Sequence, residues 1–219
     1  MAASVANAGE SEFSAGFAGE LIRLFTLRRD VRHFRRDVLP DGLIEELLGV
    51  ACLSPSVGYS QPWRFVIVES ARARGAVRAS FVAANTAAAA GYEAGRSADY
   101  ARLKLAGLDD APCHVAVFAE PDPATGHGLG RQTMPETVAY SVVMAIHTLW
   151  LAARAAGVGV GWVSILDPQA VCAALDVPEQ WRLIGYLCIG YPQERHETPE
   201  LERRGWERAQ PVEAVICRR

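Results

Sequence analysis

Phe17, Leu21, Leu24 and Phe25 recur at helical spacing and predict a helix over residues 14–27. Asp41, after Pro40, opens a second helical pattern through Leu43, Ile44, Leu47 and Leu48, which stops before Pro55. Residues 63–68 are a short apolar, β-branched run of the kind that forms a buried strand. Ser70 then stands as the cap of a long alanine- and arginine-rich stretch that reaches about residue 107 and breaks near Gly91 and Gly95. Residues 114–118 read as the next strand, and residues 121–130, with Gly, Pro and Asp but no period, as a loop. Thr133-Met134-Pro135-Glu136 has the spacing of a capping box with proline inside the first turn. It precedes the clearest helix of the chain, apolar at Val138, Val142, Ala145, Ile146, Leu149 and Trp150 and ending at Gly157. A helix apolar over so much of its girth belongs in a core or at a subunit interface. Residues 158–165 predict a third strand, Asp167-Pro168 the start of a short helix, and residues 183–189 a fourth strand. Taken alone, this alternation points to a parallel, doubly wound sheet.

No repeat or low-complexity linker divides the 219 residues, which read as one domain over 15–219 behind a flexible tail over 1–14. With 50% hydrophobic and 21% charged residues, the chain can bury a core without covalent staples. Its 22 basic and 25 acidic residues leave a net charge of −3, without the surplus of a general nucleic-acid binder, so only a local anion pocket is expected. No run of about 18 apolar residues marks a membrane span, and the first residues lack the basic and apolar stretches of a secretory signal. The five cysteines (Cys52, Cys113, Cys172, Cys188, Cys217) include no Cys-x-x-Cys pair and predict reduced, unpaired thiols in a cytoplasmic protein. The histidines show no metal-ligand spacing with cysteine or carboxylate, so no metal is expected.

Three clusters bear on chemistry. Arg28-Arg29-Asp30-Val31-Arg32 crowds three guanidiniums that repel one another unless an anion lies among them, although a solvated basic face has the same composition. Ser54-Pro55-Ser56-Val57-Gly58-Tyr59-Ser60-Gln61-Pro62-Trp63 leads into a strand on a tight path rich in donors, suited to a planar heterocycle or simply to a loop. Gly157-Val158-Gly159-Val160-Gly161-Trp162-Val163-Ser164 has the wrong spacing for a dinucleotide fingerprint, and its glycines mark close approach of another backbone or of a flat ligand. Nucleophile elbows and Walker loops are absent, so acyl transfer and nucleotide hydrolysis have no support.

In this order the segments resemble the FMN-dependent nitroreductase superfamily, whose Arg-Arg-Ser-x-Arg and Pro-Ser-x-x-Asn-x-Gln-Pro-Trp motifs line the flavin site. Here Asp30 replaces the serine and Tyr59 the asparagine. These departures turn the resemblance toward a flavin-destroying branch that forms 5,6-dimethylbenzimidazole, the lower ligand of vitamin B12. Leu103-Lys104-Leu105-Ala106-Gly107, Arg131-Gln132-Thr133-Met134-Pro135-Glu136 and Pro199-Glu200-Leu201-Glu202-Arg203 resemble that branch as well, and the likeness spans about residues 27–208. Tyr59 stands where the branch is expected to carry leucine.

The resemblance implies an α+β fold instead of the parallel sheet: a mostly antiparallel sheet flanked by helices, in an intertwined homodimer whose interface forms two FMN sites. It implies that Arg28, Arg29 and Arg32, with Arg203, grip the FMN phosphate, and that Asp30, Val31, Ser56, Gly58, Gln61, Leu105 and Ser164 also contact flavin. The implied reaction consumes reduced FMN and O2: ribityl C1′ becomes C2 of the benzimidazole, and the remaining sugar leaves as erythrose 4-phosphate. Asp30, as the proton acceptor, and Ser164, near the reactive ring edge, are its expected catalytic residues. A separate NAD(P)H flavin reductase would supply the reduced FMN, and residues 85–110 are expected to fold over it as a lid. Two other functions fit the same pocket: an NAD(P)H-dependent nitroreductase or quinone reductase that keeps its FMN, and a non-catalytic flavin carrier.

Overall fold

The computed structural model describes residues 13–101, 103 and 107–219. Its centre is a sheet of β1 (Trp63–Ile67), β2 (Cys113–Ala119), β3 (Gly159–Val163) and β4 (Arg182–Gly190) in the order β1-β2-β4-β3. Every pairing is antiparallel, with Phe65 opposite Val117, Val115 opposite Leu187 and Gly161 opposite Cys188. The parallel sheet read from element alternation is therefore wrong, and the antiparallel α+β arrangement is found. The error has a physical cause. Both faces of this sheet are covered, so β2 is buried along nearly its whole length and its apolar run carries no sign of strand direction.

One face, with Val115, Val117, Leu187 and Ile189, packs on α5 (Thr137–Ala155) and α2 (Leu43–Ala51). The other, with Ala116, Phe118, Val163 and Tyr186, meets Val77 of α3 (Ala71–Ala90) and Val171 of α6 (Pro168–Leu175). Also on this face, His114 Nδ1 and the Tyr186 hydroxyl share a buried hydrogen bond of 2.9 Å. Burial, then the charge of Arg74, pushes His114 down to about 4, while burial pushes the Tyr186 phenol up.

α1 (Ala15–Leu27) begins on Ser14, whose hydroxyl accepts from Phe17 N–H at 3.1 Å, so Ser14 belongs to the helix start and not to a tail. Of the rest of the predicted tail, Phe13 stacks on Phe17, and residues 1–12 lie outside the described residues. The alanine-rich stretch has Ser70 as cap and breaks at Gly91 into α3 and α4 (Ala94–Ala101), as the sequence suggests, but Gly95 lies inside α4 and does not break it, and α4 ends at Ala101, short of residue 107. Two predicted starts shift. Gly42, not Asp41, precedes α2, and its φ of 80° suits glycine. Thr133–Glu136 does not form a capping box: Thr133 Oγ1 donates back to the Gly130 carbonyl at 3.3 Å, and α5 starts only at Thr137. α5 has the length and hydropathy of a membrane span, yet seven of its residues are buried in the protein. The cysteines are unpaired, as expected.

Candidate functional site

The arginine segment leaves α1 and runs along the free edge of β3. Val31 N–H donates to the Val160 carbonyl (3.0 Å), and Trp162 N–H donates to Asp30 Oδ1 (2.9 Å). Farther on, Arg35 N–H donates to Tyr191 O at 2.8 Å and Gln193 N–H to His33 O at 3.0 Å. α5 holds the same segment from the side, where Trp150 Nε1 donates to the Arg29 carbonyl at 3.0 Å and Arg154 Nε to Leu27 O at 3.1 Å. The glycine run makes this contact possible. A Cβ on Gly161 would lie 2.1 Å from the Val31 carbonyl oxygen, and one on Gly159 2.8 Å from Val31 Cγ2. Close approach of another backbone, one of the two readings open for these glycines, is observed at Gly161, while Gly159 makes room for the Val31 side chain.

This packing turns Arg29, Asp30, Val31 and Arg32 toward a pocket of about 200 Å³, closed by residues following β4 and by α7 (Glu200–Arg203). Arg203 and Arg204 bring its guanidiniums to four. Arg32 Nε donates to Asp30 Oδ2 at 3.0 Å, so each carboxylate oxygen of Asp30 already has a partner in the fold. Arg29 Nε and Arg32 Nη1 are buried without a hydrogen-bond partner. Burial, then repulsion from Arg28 and Arg154, holds the Arg29 guanidinium below its ordinary value. Buried N–H donors with no protein partner, on two cations of one pocket wall, suit an anion, and the planar forks of arginine suit phosphate.

Other expected residues lie elsewhere in the chain. Arg28 is absent from the pocket wall, and its guanidinium lies over the Trp150 ring at 4.7 Å. Ser56, Gly58 and Gln61 lie on the loop ahead of β1. There Val57 N–H donates to Ser141 Oγ (3.0 Å) and Gln61 N–H to Ser56 Oγ (3.0 Å). Gly58, at φ 56°, is pressed against the neighbouring loop, where a Cβ would meet the Gly126 and Leu129 carbonyls at 2.9 Å. Ser164 follows the end of β3, which is shorter than predicted, and is exposed. Leu105 lies outside the described residues, as does part of the expected lid. None of the lid's described residues lines the pocket; α4 is held instead by Arg96 over the Trp206 ring at 4.9 Å. Sequence reasoning did not find His33, Gln193, Glu194, His196, Thr198, Glu200 and Arg204, which complete the wall. Of these only Glu200 falls in a stretch that carries the family resemblance, residues 199–203, and no spacing within it signals a pocket.

With this geometry in place, comparison with known proteins gives a consistent result. Residues 26–191 match the model of the Nitroreductase family, and the chain belongs to that family of enzymes. It is 56% identical to the 5,6-dimethylbenzimidazole synthase of Rhodospirillum rubrum, over 93% of this chain and 96% of that protein. It is 48% identical to the 5,6-dimethylbenzimidazole synthase of Rhodobacter capsulatus, over 88% and 93% of the two chains. Among solved structures, oxidized iodotyrosine deiodinase bound to FMN and 3-iodo-L-tyrosine superimposes with a TM-score of 0.67 and 27% identity, covering 80% of this chain and 91% of that one.

Proposed function

We propose that this chain is a 5,6-dimethylbenzimidazole synthase that consumes reduced FMN and O2 and releases erythrose 4-phosphate. The observation that carries the reading is Asp30, a carboxylate set between two pocket arginines where the resembling nitroreductase motif has serine. The buried, unpartnered N–H groups of Arg29 and Arg32 fit a phosphate, with Arg203 across the pocket. Reduced FMN would supply both the electrons for O2 and the carbon atoms of the product. Asp30 is held in place by Trp162 N–H and Arg32, and its remaining lone pairs are available to accept a proton near ribityl C1′. Ser164, beyond β3, would relay protons at the ring.

Two observations favour a homodimer for this work. The Ser56–Gln61 loop meets α5 at Ser141 and the arginine segment meets it at Trp150, about 13 Å apart along the helix, so a second copy could complete each site. α1 and α5 also present a joined apolar surface: Phe17, Leu21 and Phe25 on one, Tyr140, Val143 and Met144 on the other, with Phe25 stacked on His147 at 6.1 Å. The protein would work in the cytoplasm beside a separate NAD(P)H flavin reductase.

The test is anaerobic incubation with photoreduced FMN, admission of air and chromatography of the products, for the parent and for Asp30→Asn. The parent should form 5,6-dimethylbenzimidazole. The variant keeps an acceptor for Trp162 N–H and should bind reduced FMN while losing product by a factor of about 10² or more. Brisk NADH-driven nitroarene reduction by the parent, with flavin intact, would establish the nitroreductase function instead, and flavin recovered unchanged with no turnover the carrier function. Near-normal product from Asp30→Asn would reduce Asp30 to the partner of Arg32.

A further inference from the structure

The proposed chemistry makes no use of Glu200, although it stands in the wall of the anion pocket. It is the first residue of α7, its side chain is 10% exposed, and its Oε1 is buried with no hydrogen-bond partner. The cations nearest that atom, His33 Nε2 and Arg204 Nε, are both 3.7 Å away, beyond hydrogen-bond reach. The other acids of the wall are engaged: Asp30 with Arg32 and Trp162 N–H, Glu194 with His196 at 2.8 Å. A carboxylate beside a bound anion repels it, so Glu200 works against a pocket built only for negative charge, even while it pairs loosely with His33 and Arg204.

The conflict disappears if the bound anion carries a proton. An ionised carboxylate can only accept hydrogen bonds, and so can a fully ionised oxyanion. A phosphate monoester has a second pKa near 6, and the guanidiniums pull its proton off while a buried carboxylate acceptor such as Glu200 holds one P–OH in place. Its other oxygens then meet the guanidiniums while the P–OH donates to Glu200 Oε1. We propose that Glu200 is a specificity-determining residue, which admits an anion bearing its own hydroxyl, such as a phosphate monoester, and rejects one that has none, such as sulfate. The inference deepens the FMN reading by naming what selects the phosphate end, and its probes are inorganic anions so that the two can fail separately.

Inorganic phosphate and sulfate are titrated at pH 7 into the full-length parent, Glu200→Gln and Glu200→Ala by calorimetry, with Arg32→Ala to locate binding in the pocket. The parent should prefer phosphate by about 10- to 100-fold, the range of one charge-assisted hydrogen bond. Both Glu200 variants should bring the two anions within about threefold of each other, chiefly by gaining sulfate, and Arg32→Ala should weaken both. A parent that binds no phosphate, or binds both anions alike, overturns the proposal. So does a Glu200→Gln protein that keeps the preference, including one that weakens both anions equally because Glu200 only positions Arg204. A phosphate preference that vanishes in the variants, in a protein that does not bind FMN, upholds Glu200 and overturns the flavin reading.

Discussion

Gly161→Ala is the sharpest test of how the arginine segment is seated. Its Cβ would stand 2.1 Å from the Val31 carbonyl oxygen, against ordinary contacts of at least about 3.4 Å, so one backbone must retreat by more than 1 Å. The residue lies inside β3 in extended conformation, so the cost comes from the contact alone. Retreat of residue 31 stretches Val31 N–H to Val160 O and Trp162 N–H to Asp30 Oδ1, which adds lost hydrogen bonds to the overpacking. The sum is about 3 kcal/mol or somewhat more, which lowers the thermal midpoint of a chain this long by roughly 6–12 °C. Because Arg29 and Arg32 flank the displaced residue, FMN affinity should fall at least about tenfold with it. Differential scanning fluorimetry and flavin fluorescence quenching read the two quantities. Gly49→Ala is the control: exposed on α2, with nothing within 4 Å of its added Cβ, it should leave the midpoint unchanged or slightly raised. A Gly161→Ala protein with the parent's midpoint and FMN affinity would refute the seating of Val31 on β3.

Further outcomes follow from the same geometry. Arg32→Ala should weaken FMN by about 1.5–3 kcal/mol and riboflavin much less, while Arg28→Ala, whose guanidinium lies over Trp150, should weaken the two flavins alike; equal losses of both flavins in Arg32→Ala would remove the phosphate from this pocket. Stability should rise between pH 4 and 6.5 and then level off, because in that window the unfolded chain binds a proton on His114 that the folded chain, with His114 at about 4, does not. The gain is roughly 3 kcal/mol, and urea titrations across the window should show it in the parent and a flatter profile in His114→Gln.

The local sequence determined the elements. Amphipathic spacing places α1, α2 and α5, the serine at 14 and the serine at 70 cap their helices, and four short apolar runs become four strands. These features act over a few residues and need no knowledge of the rest of the chain. The arginine motif by itself left an anion site and a solvated basic face as alternatives, because three like charges in five residues suit either until their surroundings are known. Strand direction was not legible, since a sheet covered on both faces has apolar strands whichever way they run. The division of labour within the motif was equally hidden. Arg28 and Arg29 are adjacent and chemically identical, yet Trp150, more than a hundred residues away, takes the first and the pocket takes the second. Gly161 could have served a ligand or a backbone, and only the return of residue 31 along the edge of β3 decides for the backbone. Glu200 joins the pocket because the chain after β4 folds back over the arginine segment, a long-range contact that no spacing within residues 199–203 records.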